Sequence, residues 1–350
     1  MIILTDGHYD AHAAKTAICV VRYKPEEVVA VLDRDLAGKT CAEVMRTGGE
    51  ISFVGSLGEA PAANTLLIGI APPGGKIPAA WRTVILEAIA RGLTVVSGLH
   101  EFLRDDAEFS QAAAEHGVRL IDLRDNQERD VASGRPFRQG CLRIHTVGND
   151  CSCGKMVTSV EVAQGLNRAG VDAAFVATGQ TGIMVAGEGC PVDRVICDFL
   201  SGAAEKLVLG NQHHEVIVVE GQGSLYHPRY SGVTFGLLHG LKPDGLIFCY
   251  EMGREVISDM PHVALPPHGK AIEFYEICAN VMHPCRVIGV AVNGQHFPDH
   301  EVAVECQRVA GELGLPACDV IRQGPEKLVD AVIELRERLK REEGRGRREE

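Results

Sequence analysis

Short apolar runs recur along the chain and alternate with stretches whose apolar positions fall three and four apart. In the first part the runs at 2–4, 28–32, 51–54, 65–70, 94–96 and 119–121 predict strands, and the amphipathic stretches 13–22, 79–91 and 109–116 predict helices. Further on, strands are expected at 142–147, 173–177, 216–219, 245–249 and 287–292, and helices at 158–168, 194–207, 302–313 and 328–339, with a glycine-containing region at 179–189. Strands separated by helical segments pair in parallel through crossovers, so the expected class is α/β with doubly wound sheets. The polar stretch 125–140 reads as a linker, which gives domains at 1–138 and 139–335. Signs of charge alternate through 336–350, expected as a frayed helix or a disordered tail.

One segment carries chemistry at once. Gly148-Asn149-Asp150-Cys151-Ser152-Cys153-Gly154-Lys155-Met156-Val157-Thr158 follows the strand at 142–147 and opens the helix that comes after it. A glycine loop between strand and helix points backbone N–H groups inward, the helix start adds partial positive charge, and the lysine adds a full one, so the arrangement suits phosphate. An ordinary Gly-Lys turn would need neither flanking element. The spacing is Gly-x5-Gly-Lys, and Met156 follows the lysine where a magnesium-binding loop carries a hydroxyl. Thr158 or Ser159 is the nearest substitute, one turn on.

A second strand-like run, 216–219, ends in Glu220-Gly221-Gln222-Gly223-Ser224, and an acid at that place in a phosphate-binding sheet faces the phosphates or their metal. The strand at 287–292 ends in Asn293, either a turn former or a base-reading side chain. Ligands of open parallel sheets sit beyond the strand C-termini. That rule gathers the Gly148 loop, Thr178-Gly179-Gln180-Thr181, the Glu220 segment and Asn293 on one rim. The glycine loop 69–75 lacks the Gly-x-Gly-x-x-Gly pattern, which argues against classical dinucleotide binding in the first part.

Gly-Asn-Asp-Cys-Ser-Cys-Gly-Lys resembles the modified loop of dethiobiotin synthetase and its relatives, a resemblance under which Asn293 would read an adenine edge. More of the chain, from Thr5-Asp6-Gly7 and Lys15-Thr16 through Asp33, Ala37-Gly38-Lys39, the Gly148 loop, 175–182, Val192-Asp193, Asp198-Phe199, 220–224 and His227-Pro228 to Tyr230-Ser231-Gly232, resembles the DgcN-type D-glutamate N-acetyltransferase family. That resemblance implies a Rossmann-like N-terminal domain followed by a P-loop NTPase-like domain, and N-acetyl transfer from acetyl-CoA to an acidic amino acid. Two departures stand out: Val157 replaces a threonine of the family's loop, and Cys153 replaces a common valine.

Composition narrows the classes. With 350 residues, 45% hydrophobic and 23% charged, the chain can bury two cores. The net charge of −12 argues against nucleic acid as the main partner. No run of 18 apolar residues is present, and Met1–Asp6 reads as a strand ending in an acid, so a cytoplasmic protein with no membrane partner is expected. The 12 cysteines are scattered through apolar runs and read as free core thiols. Cys151 and Cys153 lack a second pair at ligand spacing, so no metal is expected; an activated thiolate in the loop is a minor alternative.

Two enzyme classes compete, beside a nucleotide-binding protein without turnover. A ligase or kinase would hold ATP and magnesium, with Glu220 on the ion; an acyltransferase would hold the phosphates of acetyl-CoA without a metal. The missing hydroxyl at Met156 favours the second. Amine attack on a thioester needs a base and oxyanion donors. Candidate bases are Glu220, His227, Asp193 and Asp198, the last two alternatively helix-start residues. Thr178, Gly179, Gln180, Thr181, Gln222, Gly223 and Ser224 are expected around the amino-acid substrate, with Arg254, Arg194 or Arg229 for its carboxylates. A homo-oligomer is expected.

Overall fold

The computed structural model describes residues 1–9, 13–70 and 74–349, with side chains to residue 342, so 71–73 of the first glycine loop and the final residue lie outside the description. The chain divides into two compact units, Met1–Asn126 with Ile183–Gly187, and Gln127–Gly182 with Glu188–Glu350.

The first unit holds β1 (Ile2–Leu4), α1 (Lys15–Tyr23), β2 (Ala30–Leu32), α2 (Cys41–Met45), β3 (Ser52–Val54), β4 (Thr65–Ile68), α3 (Arg82–Ala90), β5 (Thr94–Ser97), α4 (Ala107–His116) and β6 (Leu120–Asp122). Its strands lie in the order β3-β2-β1-β4-β5-β6, all parallel. This is the Rossmann order, in which the chain leaves β1 to either side. One face buries Leu4, Ile68, Trp81 and Ile85, the other Ile3, Ala17, Val31 and Phe53.

The second unit continues with β7 (Leu142–Gly148), α5 (Lys155–Arg168), β8 (Ala173–Val176), α6 (Gln180–Ala186), whose later residues count with the first unit, α7 (Cys197–Asn211), β9 (Val216–Val219), α8 (Ser231–Leu241) and β10 (Gly245–Glu251). There follow a hairpin of β11 (Val256–Ile257) and β12 (Met260–Ala264), then α9 (His268–Asn280), β13 (Arg286–Asn293), α10 (Asp299–Leu313), β14 (Ala317–Cys318) and α11 (Glu326–Glu349). The main sheet runs β14-β13-β10-β7-β9-β8, again parallel. Helices cover both faces: Ile144, Leu166 and Leu328 pack on one side, Phe248, Tyr275 and Val290 on the other. Covering both faces is why Val216–Val219 is apolar without alternation and buried at every position.

Two boundaries differ from the sequence expectation. The stretch expected as a linker belongs from Gln127 onward to the second unit, where the backbone N–H groups of Ser133 and Gly134 donate to Glu205 of α7 at 3.1 and 2.9 Å. The expected tail from 336 on continues α11 instead. Its periodicity explains this: Leu328, Val332 and Leu335 are buried on one stripe that Leu339 extends, and Arg336 pairs with Glu215. Among the described residues no helix is long and apolar enough to cross a membrane.

Candidate active site

β7 lies in the middle of its sheet, between β10 and β9, so the loop it feeds emerges at the centre of the C-terminal rim. Gly154, with φ +100°, turns the chain into α5 in a conformation that side chains avoid. Ser152 adopts the left-handed region as well, at φ +53°. The neighbouring rim segment is equally tight, because a Cβ on Gly221 would stand 1.8 Å from the Thr146 carbonyl oxygen. That close approach lets the Gly221 N–H donate to Thr146 Oγ1 at 2.9 Å.

Charge inside the loop is organised by residues on two other elements. Arg254, just past β10, donates to Asp150 Oδ2 at 2.9 Å and to the Cys151 carbonyl at 2.7 Å, and its other nitrogen pairs with Glu251 at 2.6 Å. The Ser258 N–H of the hairpin donates to the same Asp150 oxygen at 2.7 Å. Arg254 was expected to meet substrate carboxylates; its three contacts hold the loop instead. Tyr275 of α9 donates to the Gly148 carbonyl at 2.7 Å and accepts from the Leu225 N–H at 3.0 Å. The sequence reading missed α9, although Pro266-Pro267 followed by Ala271, Ile272, Tyr275, Cys278 and Ala279 at helical spacing marks it.

Lys155 is buried at the start of α5, and its ammonium donates to the Asp150 carbonyl at 2.6 Å. The Asn149 side-chain oxygen is buried with no hydrogen-bond partner. Burial, then the Asp150 charge, pushes the Cys151 thiol up to about 11, which argues against a thiolate at that residue. Cys153 donates weakly to the Asp150 and Cys249 carbonyls at 3.2 and 3.4 Å. The two hydroxyls that could replace the missing one are engaged with other groups: Ser159 Oγ meets Thr146 Oγ1 at 2.9 Å and donates to the Lys155 carbonyl at 3.0 Å, and Thr158 is buried beside the Cys249 thiol. Met156 and Val157 are half-buried at the first helical turn.

Glu220 follows β9 and is buried, with one carboxylate oxygen accepting from the Thr178 and Gly179 N–H groups at 2.9 and 3.1 Å and the other from Gln222 Nε2 at 3.1 Å. The Thr178 hydroxyl donates to the Glu220 carbonyl at 2.9 Å. A carboxylate so bound fixes the β8–α6 turn. Gln180 and Thr181 are buried at the start of α6, and Ser224 Oγ accepts from the Tyr226 N–H at 3.2 Å. Gly223, at φ +66°, carries the chain past Tyr230.

The remaining acids are differently placed. Asp198 is exposed in the first turn of α7, the helix-start position, and Asp193 is exposed in a 3-10 turn whose Val192 N–H donates to the Thr178 carbonyl at 3.0 Å. His227 is buried, and its Nδ1 accepts from the Arg229 N–H at 3.3 Å. A ring nitrogen of His227, the Cys151 sulfur and an Asp150 oxygen lie within 4.8 Å of one another. With Asp150 paired to Arg254 and the thiol held protonated, this trio is a hydrogen-bonding cluster and a weak cage for a cation. Asn293 ends β13 against the loop, its Cβ 3.6 Å from where a side chain on Gly154 would begin.

Comparison with known proteins agrees with this geometry. Residues 130–329 match the model of a domain of unknown function, the DUF1611 C-terminal P-loop domain, and residues 34–126 match its N-terminal Rossmann-like domain. A protein of Tritonibacter scottomollicae named D-glutamate N-acetyltransferase is 36% identical over 92% of this chain and 95% of its own length. A Pseudoalteromonas protein of the same name is 36% identical over 76% of this chain and 80% of its own. The crystal structure of a DUF1611 family protein from Anabaena variabilis superposes with a TM-score of 0.88 at 32% identity, covering 95% of this chain and 98% of that one.

Proposed function

The chain belongs to the DUF1611 family, and from that membership and its loop we propose that it is an N-acetyltransferase that moves acetyl from acetyl-CoA to the amine of D-glutamate. Two relatives similar over most of the chain carry that name. The observation that carries the choice of donor is the chemistry of the first turn of α5. Lys155 and the loop N–H groups can neutralise phosphate, while Met156 and Val157 offer no hydroxyl and those of Thr158 and Ser159 are committed to the sheet. Such a loop suits a cofactor whose phosphates are held and not cleaved. Asn293 beside Gly154 suits an adenine edge.

In this reading the amine attacks the thioester carbon, the C–S bond breaks, and the amine's proton must leave while the thiolate gains one. His227 supplies a donor: with Nδ1 accepting from Arg229, the neutral ring carries its proton on Nε2, where it can meet the developing oxyanion. Asp193 is the candidate for the amine's proton, since it is exposed and its neighbour Val192 is bonded to the Thr178 turn. Arg229, half exposed and 3.5 Å from Asp259, is the candidate for a substrate carboxylate.

The test is release of free thiol from acetyl-CoA with D- and with L-glutamate, in EDTA and then with magnesium and ATP. Activity in EDTA with D-glutamate is expected. Activity that requires magnesium and ATP would move the protein to the ligase class.

A further inference from the structure

A second cluster of charge lies at the other end of β7 from the glycine loop. There a cavity of about 320 Å³ is lined by Arg135, Arg138, Arg143, Lys242, Arg336 and Lys340, while Asp244 is the one acid in its wall among the described residues. In a chain of net charge −12 this local balance is reversed. Like charges held this close repel unless an anion joins them. Part of the charge is already answered: Arg143 Nη2 donates to Asp244 at 2.6 Å, Arg336 pairs with Glu215, Lys340 lies 3.6 Å from Glu337, and Arg138 donates to the His213 and His214 carbonyls at 3.2 and 2.9 Å.

Two guanidinium nitrogens of the lining residues stay without an acceptor. Arg143 is only 8% exposed, yet its Nε is buried with no hydrogen-bond partner, and the Arg336 Nε is the same. Lys242, in the left-handed region at φ +47°, carries its ammonium 5.3 Å from the centre of the Phe137 ring, against which the Arg143 guanidinium also lies at 5.1 Å. These two nitrogens are shielded from solvent, so what the cavity offers a ligand is the lysine ammoniums and arginine forks of its lining, against the carboxylate of Asp244.

We propose that this cavity binds a small phosphorylated molecule, at a site separate from the glycine loop. Phosphate is favoured because several forked and point cations converge on one space, which calls for an anion with more than two acceptor oxygens. The volume is near the lower end for small-ligand pockets, so a phosphate group with a short organic part fits better than a whole coenzyme. From Arg143 to Gly148 the strand rises about 17 Å, too far for one such ligand to reach both.

Inorganic pyrophosphate is the probe, titrated calorimetrically at low ionic strength into the full chain, with melting curves to confirm folding. In a Lys155→Ala background, which silences the glycine loop, a pyrophosphate site should remain. Adding Lys242→Ala and Lys340→Ala should weaken it about tenfold, while Lys270→Ala, an exposed cation outside the cavity lining, should leave it unchanged. A Lys155→Ala chain that binds no pyrophosphate, or a triple variant that binds as its parent does, overturns the proposal. If Lys155→Ala removes no site from the original chain, the glycine-loop reading fails, and the Lys242/Lys340 comparison still decides the cavity.

Discussion

The two parallel sheets obey one set of topological rules and differ in what stands at their C-terminal rims. Beyond β1 and β2 of the first sheet come Thr5-Asp6 and Asp33-Arg34, where Asp6 pairs with Arg34 at 2.7 Å and the Thr5 hydroxyl donates to Asp33 at 3.0 Å. Carboxylates dominate there, and the one arginine is spent on them. Beyond β7 of the second sheet comes a loop of N–H groups with a buried lysine, its own aspartate neutralised by Arg254. Strand order alone marks both crevices as possible ligand sites. Side-chain chemistry favours the second for the phosphate of the proposed cofactor.

That contrast is broken most directly at Lys155. Lys155→Ala should weaken acetyl-CoA binding about 100-fold, with little change in melting temperature, because a charge-assisted contact is lost and no apolar core is opened. Calorimetric titration of the folded variant checks it. Affinity within a few-fold of the original would mean that the second rim is no more a phosphate site than the first.

Glu220 comes next. Its oxygens serve two backbone N–H groups and Gln222, so Glu220→Gln, which presents an amide NH₂ to donors, should cost about 1–3 kcal/mol of stability and lower affinity and turnover together. A variant that melts normally, binds acetyl-CoA normally and turns over about 10²–10⁴-fold more slowly would restore Glu220 as the base.

Most of the architecture was legible in the sequence because both sheets are covered on two sides, so that several strands, Val216–Val219 above all, are written as apolar runs. The loop was legible because its chemistry is local: glycine, lysine and helix start are contiguous. What was not legible depended on tertiary contacts. Arg254 reads as a free rim cation until the hairpin after β10 folds it onto Asp150. Glu220 reads as a catalytic acid until the β8–α6 turn delivers two N–H groups to it. Between a frayed helix and disorder the tail's charge could not decide, whereas the stripe of Leu328, Val332 and Leu335, continued by Leu339, carries the helix into it.

Acid stability sharpens the comparison further. His145 of β7 is buried, donates Nδ1–H to the Val219 carbonyl at 3.1 Å, and has no partner at Nε2. Burial lowers it from 6.5 to about 4. The unfolded chain therefore takes up a proton below 6.5 that the folded chain refuses, so stability is full above 6.5 and falls as pH drops from there toward 4, by about 3 kcal/mol in all. The protection of the β7 and β9 amides, taken relative to the intrinsic exchange rate at each pH, should fall across that window. His145→Leu should flatten the pH dependence while lowering stability at neutral pH through the lost bond to Val219.

The smallest effect belongs to the first sheet. Burial of Asp6 alone would raise its pKa, but the hydrogen bonds and charge of Arg34 outweigh it, and the net direction is downward. A carboxylate lowered by folding contributes stability that is present above its unfolded value near 3.8 and is lost only as pH falls through the lower folded one. The β1 and β2 amides should then hold their protection through the range in which those of β7 lose theirs. Because the Arg34 side chain is 66% exposed, solvent screens the pair, and Asp6→Asn should shift the melting temperature at neutral pH by about 2 °C or less. Protection that fell equally in both sheets between pH 6.5 and 4 would show that acid sensitivity is not set by the buried histidine, and the electrostatic contrast between the two sheets would fail with it.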